Sequence, residues 1–207
     1  MNYIRLGQVR FPSPTNININ MMPYIIGDKN SIPKEYHNYY PLIKKCEIDP
    51  NEMGRIGYLS ISESFVEKGK THRREGIHTD RSSKHMRWGG TWGRGEIING
   101  RIRGGIFMAS TLENSCRVWD VSIGDPGHLG NCEHLKHLLK GEYVLKANEL
   151  IWMTDACPHE SLPFEEGKYR QWFRVVTSDV SAWFAKHSTS NYLGVLPTCQ
   201  VVAESKF

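Results

Sequence analysis

His78 and Asp80 place an imidazole and a carboxylate two positions apart, in the segment Arg73-Arg74-Glu75-Gly76-Ile77-His78-Thr79-Asp80. On an extended backbone, residues i and i+2 face the same way. The two side chains could therefore hold one metal ion between them. Such an ion needs a third protein ligand, and the best candidate is His159, in Thr154-Asp155-Ala156-Cys157-Pro158-His159-Glu160. Pro158 fixes its own φ and stiffens the backbone there. Two histidines and one carboxylate, with open positions left over, are the ligand set of non-haem Fe(II) oxygenases. Glu160 or Asp155 could supply a carboxylate instead. A His-x-Asp pair alone is more often a solvated loop feature. Here Arg73, Arg74 and Arg81 flank it, which sets the ligands where a strand opens into a polar loop.

Eleven positions beyond His159 stands Arg170, and four further on stands Arg174, with Trp172 between them. Residues 169–177 read as the clearest strand in the chain, and a strand puts both guanidinium groups on one face. A buried arginine is costly unless paired, so two of them imply anions, from the protein or from a ligand. A guanidinium fork binds a carboxylate through two parallel bonds. The alternative is that this face meets solvent while Phe173 and Val175 point inward. Among the other histidines, His134 and His137 lie three apart on a predicted helix and read as its solvated face. His72 and His85 flank the His78 motif as supporting groups, and His37, His128 and His187 have no supporting context.

These side chains need a scaffold. Residues 16–20 alternate polar and apolar as a half-buried strand does. Strands are also expected at 57–62, 105–110, 116–121, 143–147, 149–153 and 169–177, and around His78 and Asp80. Residues 88–105 are glycine-rich and read as an irregular loop of the kind that rims or covers a site. Its Trp88, Trp92 and Arg94 are candidate substrate contacts, with Arg87 beside them; otherwise its tryptophans pack on the sheet. A helix is expected over 132–139, and a second capped by Asp179 and running to about Lys186. The tail after Gly194 adds an edge strand. Many short strands without a βαβ rhythm predict a mainly β sandwich or barrel with helices at its margins. One domain is expected: an N-terminal extension packed on the core (1–56), the β core (57–178), and a C-terminal helix and tail (179–207).

The order His78-x-Asp80, then His159, then an arginine eleven later resembles the Fe(II)/2-oxoglutarate-dependent dioxygenases, over roughly residues 57–178. That resemblance implies a double-stranded β-helix, the jelly-roll or cupin-like fold. It implies that His78, Asp80 and His159 bind Fe(II) and that Arg170 binds the distal carboxylate of 2-oxoglutarate. The spacing of both arginines is similar to the taurine-dioxygenase-like branch, where the second arginine helps bind an anionic substrate or the cosubstrate. Arg174 would take that part, or the two arginines exchange roles. The implied activity couples decarboxylation of 2-oxoglutarate to hydroxylation or demethylation of a small-molecule or macromolecular substrate that the sequence does not name. Trp88, Trp92 and Trp119 would wall the site. Two other readings fit the residues. One is a cupin-like metalloenzyme using the same ligands without 2-oxoglutarate. The other is a non-catalytic jelly-roll binding or structural protein, in which Arg170 and Arg174 pair with carboxylates such as Glu149 or Asp155.

Composition narrows the field. The 207 residues are 39% hydrophobic and 23% charged, enough apolar material for a core. No Gly-x-Ser-x-Gly elbow, phosphate loop or His-Glu-x-x-His occurs, so no hydrolase signature competes. The net charge of +4 comes without a basic tract, which gives no support to a nucleic-acid substrate. Five cysteines, an odd number with no Cys-x-x-Cys, point to a reducing intracellular setting. The polar N-terminus and the lack of any apolar run near 18 residues predict a soluble protein without a membrane span.

Overall fold

The strand that carries both arginines lies inside a six-stranded sheet, with a neighbour on each side. The computed structural model describes residues 1–82 and 90–204. Trp88, with His85 and Arg87, lies outside the described residues. In chain order the strands are β1 (Tyr3–Gln8), β2 (Asn18–Ile25), β3 (Ile56–Val66), β4 (Glu96–Ile98), β5 (Arg101–Arg103), β6 (Ile106–Ser110) and β7 (Cys116–Val118). They continue with β8 (Tyr143–Val144), β9 (Glu149–Met153), β10 (His159–Ser161), β11 (Lys168–Val176), β12 (Ala182–Phe184) and β13 (Gln200–Val202). The large sheet runs β1-β9-β6-β11-β3-β2 and every pairing in it is antiparallel.

Aromatic and β-branched residues suit a pleated, two-sided buried strand, and β11 is rich in them. Its alternation sends Phe173 and Val175 into one apolar cluster with Tyr39, Leu42, Phe107 and Trp152. Val176 goes to the opposite face, into a second cluster with Met108, Met153 and Val118. Both faces of β11 are therefore buried, and the choice between an inner face of arginines and one of Phe173 and Val175 resolves into two inner faces. Full burial of Phe173 contributes about 2–3 kcal/mol. The first face is covered by a 3-10 turn at Lys34–Tyr39 and helix α1 (Tyr40–Lys45), whose Leu42 and Ile43 join that cluster.

The second face looks onto a smaller antiparallel sheet, β10-β7-β8. Cys116 and Val118 of that sheet share a cluster with Ile106, Ile151 and Met153 of the large one. The protein is thus mainly β, a large antiparallel sheet facing a smaller one in a jelly-roll-like arrangement, with short helices at the margins. Residues before 57 supply both edges of the large sheet, β1 beside β9 and β2 beside β3. No helix among the described residues is long and apolar enough to cross a membrane.

Three expected elements take other forms. The helix after Asp179 is absent; Ala182–Phe184 is a strand pairing in parallel with β13. The Asp179 carboxylate is engaged by Thr91 Oγ1 at 3.3 Å and Arg94 Nε at 2.7 Å, so it is not available as a cap. Trp183 is buried and donates its indole N–H to the Met21 carbonyl at 2.8 Å, which holds the segment extended. The strand expected around His78 and Asp80 shrinks to isolated bridges at His78. The glycine-rich loop contains a hairpin, β4–β5, turning at Asn99 and Gly100, both with positive φ, as a two-residue turn between twisted strands requires.

Candidate metal and anion site

His78 and His159 meet through their backbones. His78 N donates to the His159 carbonyl at 3.0 Å, and His159 N donates to the His78 carbonyl at 2.9 Å. Residues that exchange both bonds across an antiparallel pair sit directly opposite, with side chains on one face. The imidazole centroids are accordingly 4.4 Å apart. Each ring is then fixed by its Nδ1, at 2.7 Å from the Gly76 carbonyl for His78 and 3.1 Å from the Cys157 carbonyl for His159. A carbonyl can only accept, so Nδ1 carries the proton in both rings and Nε2 keeps its lone pair. That is the tautomer a metal-binding histidine uses. Burial lowers the pKa of both, and for His78 the neighbouring His159 adds to it. Both rings are therefore neutral at pH 7.

Asp80 follows two residues on, buried like both histidines. Its Oδ2 lies 3.8 Å from His159 Nε2, and its Oδ1 lies 3.3 Å from Arg174 Nη1. The intervening Thr79 is anchored to a neighbouring turn, its N–H donating to the Gly130 carbonyl at 2.9 Å. Gly130 has φ +81°, and a Cβ there would collide with the Thr79 carbonyl, so only glycine lets the turn approach. The three expected ligands thus share one small volume. Their spacing is wider than a bound ion imposes, and among the described residues no group of three or more His, Cys, Asp or Glu side chains has the spacing of a metal centre. The donor types nonetheless fit a divalent transition metal: two neutral imidazole Nε2 atoms and one carboxylate.

A cavity opens beside these groups, lined also by Arg73, Arg74, Arg170, Trp172, Arg174 and Trp92. Arg170 is 1% exposed. Its Nε donates to Ser110 Oγ at 2.9 Å and one Nη to Ser115 Oγ at 3.2 Å, while Nη1 is buried without a hydrogen-bond partner. Burial pushes its pKa down to about 10. Arg174 pairs with Asp80, but its Nε is likewise buried without a partner. Arg73 lays its guanidinium 4.2 Å from the Trp172 ring centroid, and Arg174 lies 5.2 Å from the same centroid. Burial, then the charges of Arg174 and Arg170, pull the Arg73 pKa down to about 9. Arg174 has Asp80 as a partner, whereas the buried Nη1 of Arg170 has no acceptor and favours an anion.

The carboxylates that could have compensated them are engaged elsewhere. Glu149 pairs with Arg5 Nε at 2.7 Å and accepts from Tyr143 Oη. Asp155 accepts from Trp92 N at 2.9 Å and lies 3.5 Å from Arg81 Nε. Glu160 pairs with Arg117. The readings in which Glu149 or Asp155 neutralises the arginine pair, or Glu160 or Asp155 replaces Asp80, therefore find no contact here.

Of the expected substrate contacts, Trp92 is buried and lines the cavity. Arg94 does not line it: its side chain is 65% exposed and paired with Asp179. Trp119 packs with Ile77 and Cys132 behind the His78 segment. Arg73, Ser110, Ser115 and Asn20 were not anticipated as parts of the site. Ser110 and Ser115 carry no motif. Arg73 did carry a signal, since an arginine in the loop entering a ligand segment is available to the same cavity.

No protein-family model matches the chain, and no curated protein matches it. Among solved structures, the chain is similar to HygX from Streptomyces hygroscopicus with nickel and 2-oxoglutarate bound, at 9% identity and a TM-score of 0.46, over 81% of this chain and 76% of that one. It is also similar to HygX with iron bound, at 10% identity and a TM-score of 0.39, over 72% of this chain and 70% of that one.

Proposed function

We propose that the chain is a non-haem Fe(II)/2-oxoglutarate-dependent oxygenase that hydroxylates or demethylates its substrate. The observation that carries this reading is the meeting, in one cavity, of His78, Asp80 and His159 with a buried Arg170 whose Nη1 has no acceptor. His78 and His159 would hold the metal through Nε2, and Asp80 through its carboxylate. Arg170 would take the distal carboxylate of 2-oxoglutarate on the Nη1 it now leaves unsatisfied. When bound, iron and 2-oxoglutarate together supply O2 activation and oxidation of a substrate C–H bond.

The chain's own part is to position and to shield. The Gly76 and Cys157 carbonyls hold both imidazoles in the ligating tautomer. Ser110 and Ser115 lock the Arg170 fork in the direction of the cavity. Met108, Met153 and Trp92 line the cavity with apolar surface, which keeps bulk water from the reacting centre. Arg174 orients the Asp80 carboxylate by pairing with it.

Anaerobic addition of Fe(II) and then 2-oxoglutarate tests the reading. A weak visible charge-transfer band that needs both, and is lost in His159→Ala, is the expected result. Iron binding without the band would favour the cupin-like metalloenzyme. The pairing of Asp80 with Arg174 favours a further reading, a metal-independent anion-binding protein. That reading requires 2-oxoglutarate to bind equally well in the presence of a chelator.

A further inference from the structure

Resting on the reading of His78 and His159 as metal ligands, we infer that Glu133 is a positioning residue for the metal, acting on His78 through a single peptide group. The peptide between Gly76 and Ile77 is hydrogen-bonded at both ends. Its carbonyl, on Gly76, lies 2.7 Å from His78 Nδ1, and its N–H, on Ile77, donates to Glu133 Oε1 at 2.5 Å. Carboxylate, amide and imidazole therefore form one chain of hydrogen bonds that ends at Nε2, the atom that would face the metal. An anion at the N–H end of an amide pushes electron density toward its carbonyl oxygen and makes that oxygen a stronger acceptor. A stronger acceptor at Nδ1 makes Nε2 a better donor, as a carboxylate does when it holds a ligating histidine directly. Here the amide stands between the two and passes the effect on.

The backbone on both sides holds this chain of bonds in place. Cys132 N donates to the Ile77 carbonyl at 2.8 Å, so Glu133 directly follows a residue paired with the segment it serves. Glu133 N in turn donates to Asn131 Oδ1 at 3.0 Å. Gly76 has φ +76°, and a Cβ there would lie 3.1 Å from Glu133 Oε1, so glycine admits both the backbone turn and the carboxylate. His159 has the first bond without the second. Its Nδ1 lies 3.1 Å from the Cys157 carbonyl. That carbonyl belongs to a peptide whose nitrogen is Pro158, which has no N–H to offer an anion. The two imidazoles are therefore unequal: His78 is the stronger donor, and only its strength depends on a charge outside the cavity. Glu133 is exposed and does not line the cavity, so it can be changed without touching the ligands, the arginines or the apolar walls.

The test joins calorimetric titration of Zn(II) to NMR of the Nδ1–H protons in protein carrying isotope-labelled histidine, both metal-free and zinc-loaded. A stronger hydrogen bond deshields its proton, so the His78 Nδ1–H should resonate downfield of that of His159. Glu133→Gln keeps an oxygen for the Ile77 N–H and removes the charge. It should move the His78 resonance upfield and leave that of His159 in place. It should also weaken Zn(II) by about threefold to tenfold, less than the roughly 10- to 100-fold lost with a partner that touches the ligand itself. Glu133→Ala, at the same exposed position, should act in the same direction and serves if the glutamine variant does not fold. A His78 resonance that stays put in both variants would overturn the inference. So would equal movement of both histidine resonances, which a loosened fold would give, or unchanged Zn(II) affinity in both variants. If the wild type takes up no Zn(II), the metal reading fails by itself; an upfield shift of His78 alone in metal-free Glu133→Gln would still uphold the link from Glu133 to His78.

Discussion

The two faces of β11 bury polar groups in opposite ways. On one face the Gln171 amide nitrogen lies within 3.0 Å of three acceptors, the Pro12 carbonyl, Tyr39 Oη and Glu63 Oε1, among which it shares its two hydrogens. Glu63 also accepts from Tyr39 Oη at 2.6 Å and from the backbone N–H groups of Thr15 and Ile17, both at 2.8 Å. On the other face, one to three residues away along the same strand, Arg170 Nη1 and Arg174 Nε are buried with no acceptor. A closed network fixes one structure and asks for nothing more. An open one costs stability until something fills it. One strand thus carries a structural polar core on one side and a receptor on the other.

Glu63→Ala puts the contrast under the greatest stress. It strips four donors of a buried, charged acceptor and should cost about 3–5 kcal/mol in urea unfolding, with metal affinity within about twofold. A variant of normal stability with weakened metal binding would reverse the assignment of the two faces. Asp80→Ala and His159→Ala come next. Each should lower Zn(II) or Fe(II) affinity by more than about 100-fold, roughly 2.7 kcal/mol, by calorimetry with little change in fold. Arg170→Met should weaken 2-oxoglutarate by about 30-fold, near 2 kcal/mol. Its unfolding free energy should stay equal or rise by up to about 1 kcal/mol, because an unpaired buried cation has been removed.

The faces should also part under acid. His72 lies on the arginine side, its Nε2 near Ser62 and Ser64 Oγ. Burial, then Arg170 and Arg73, lower its pKa to about 4. The unfolded imidazole takes a proton near pH 6.5 that the folded one refuses. Stability from this group is therefore complete above pH 6.5 and lost as pH falls from there towards 4. For Glu63, burial raises the pKa, but the hydrogen bonds from Tyr39, Ile17, Thr15 and Gln171 outweigh it and the net shift is downward. Its contribution survives to lower pH and fades only below about 4.5. Between pH 7 and 5.5 the wild type should lose about 1 kcal/mol more than His72→Gln. Arg94→Gln, at an exposed ion pair outside the cavity, should shift stability by less than about 0.5 kcal/mol and leave ligand binding unchanged.

Period-two alternation made β11 legible, together with most strands of both sheets, because a side-chain pattern of that kind is local. The shared volume of His78 and His159 depends on a backbone pair between distant segments, which a triad motif can suggest and only the fold can supply. Neither the clamp of Ser110 and Ser115 on Arg170 nor the edge roles of β1 and β2 leave a local trace. Two misses were local. Asn99-Gly100 between Ile97-Ile98 and Arg101-Ile102 is a hairpin signal that the surrounding glycines hid. Asp179 has the chemistry of a helix cap, but Thr91 and Arg94 claim its carboxylate, and Trp183 and Phe184 gain more by burial as a strand.

The closure of the large sheet by β1 has a consequence for how the chain folds in time. Arg5 and Glu149, which pair across β1 and β9, are 144 positions apart, and Gln171 and Glu63, across β11 and β3, are 108 apart. Contacts of such sequence separation must close long loops before they return any energy. Folding should therefore run on the millisecond-to-second scale of high-contact-order β proteins. On the ribosome, β1 and β2 emerge first and wait for partners made much later. Until β9 and β11 arrive the large sheet has no centre, and the cavity with its arginines has no wall to be built on.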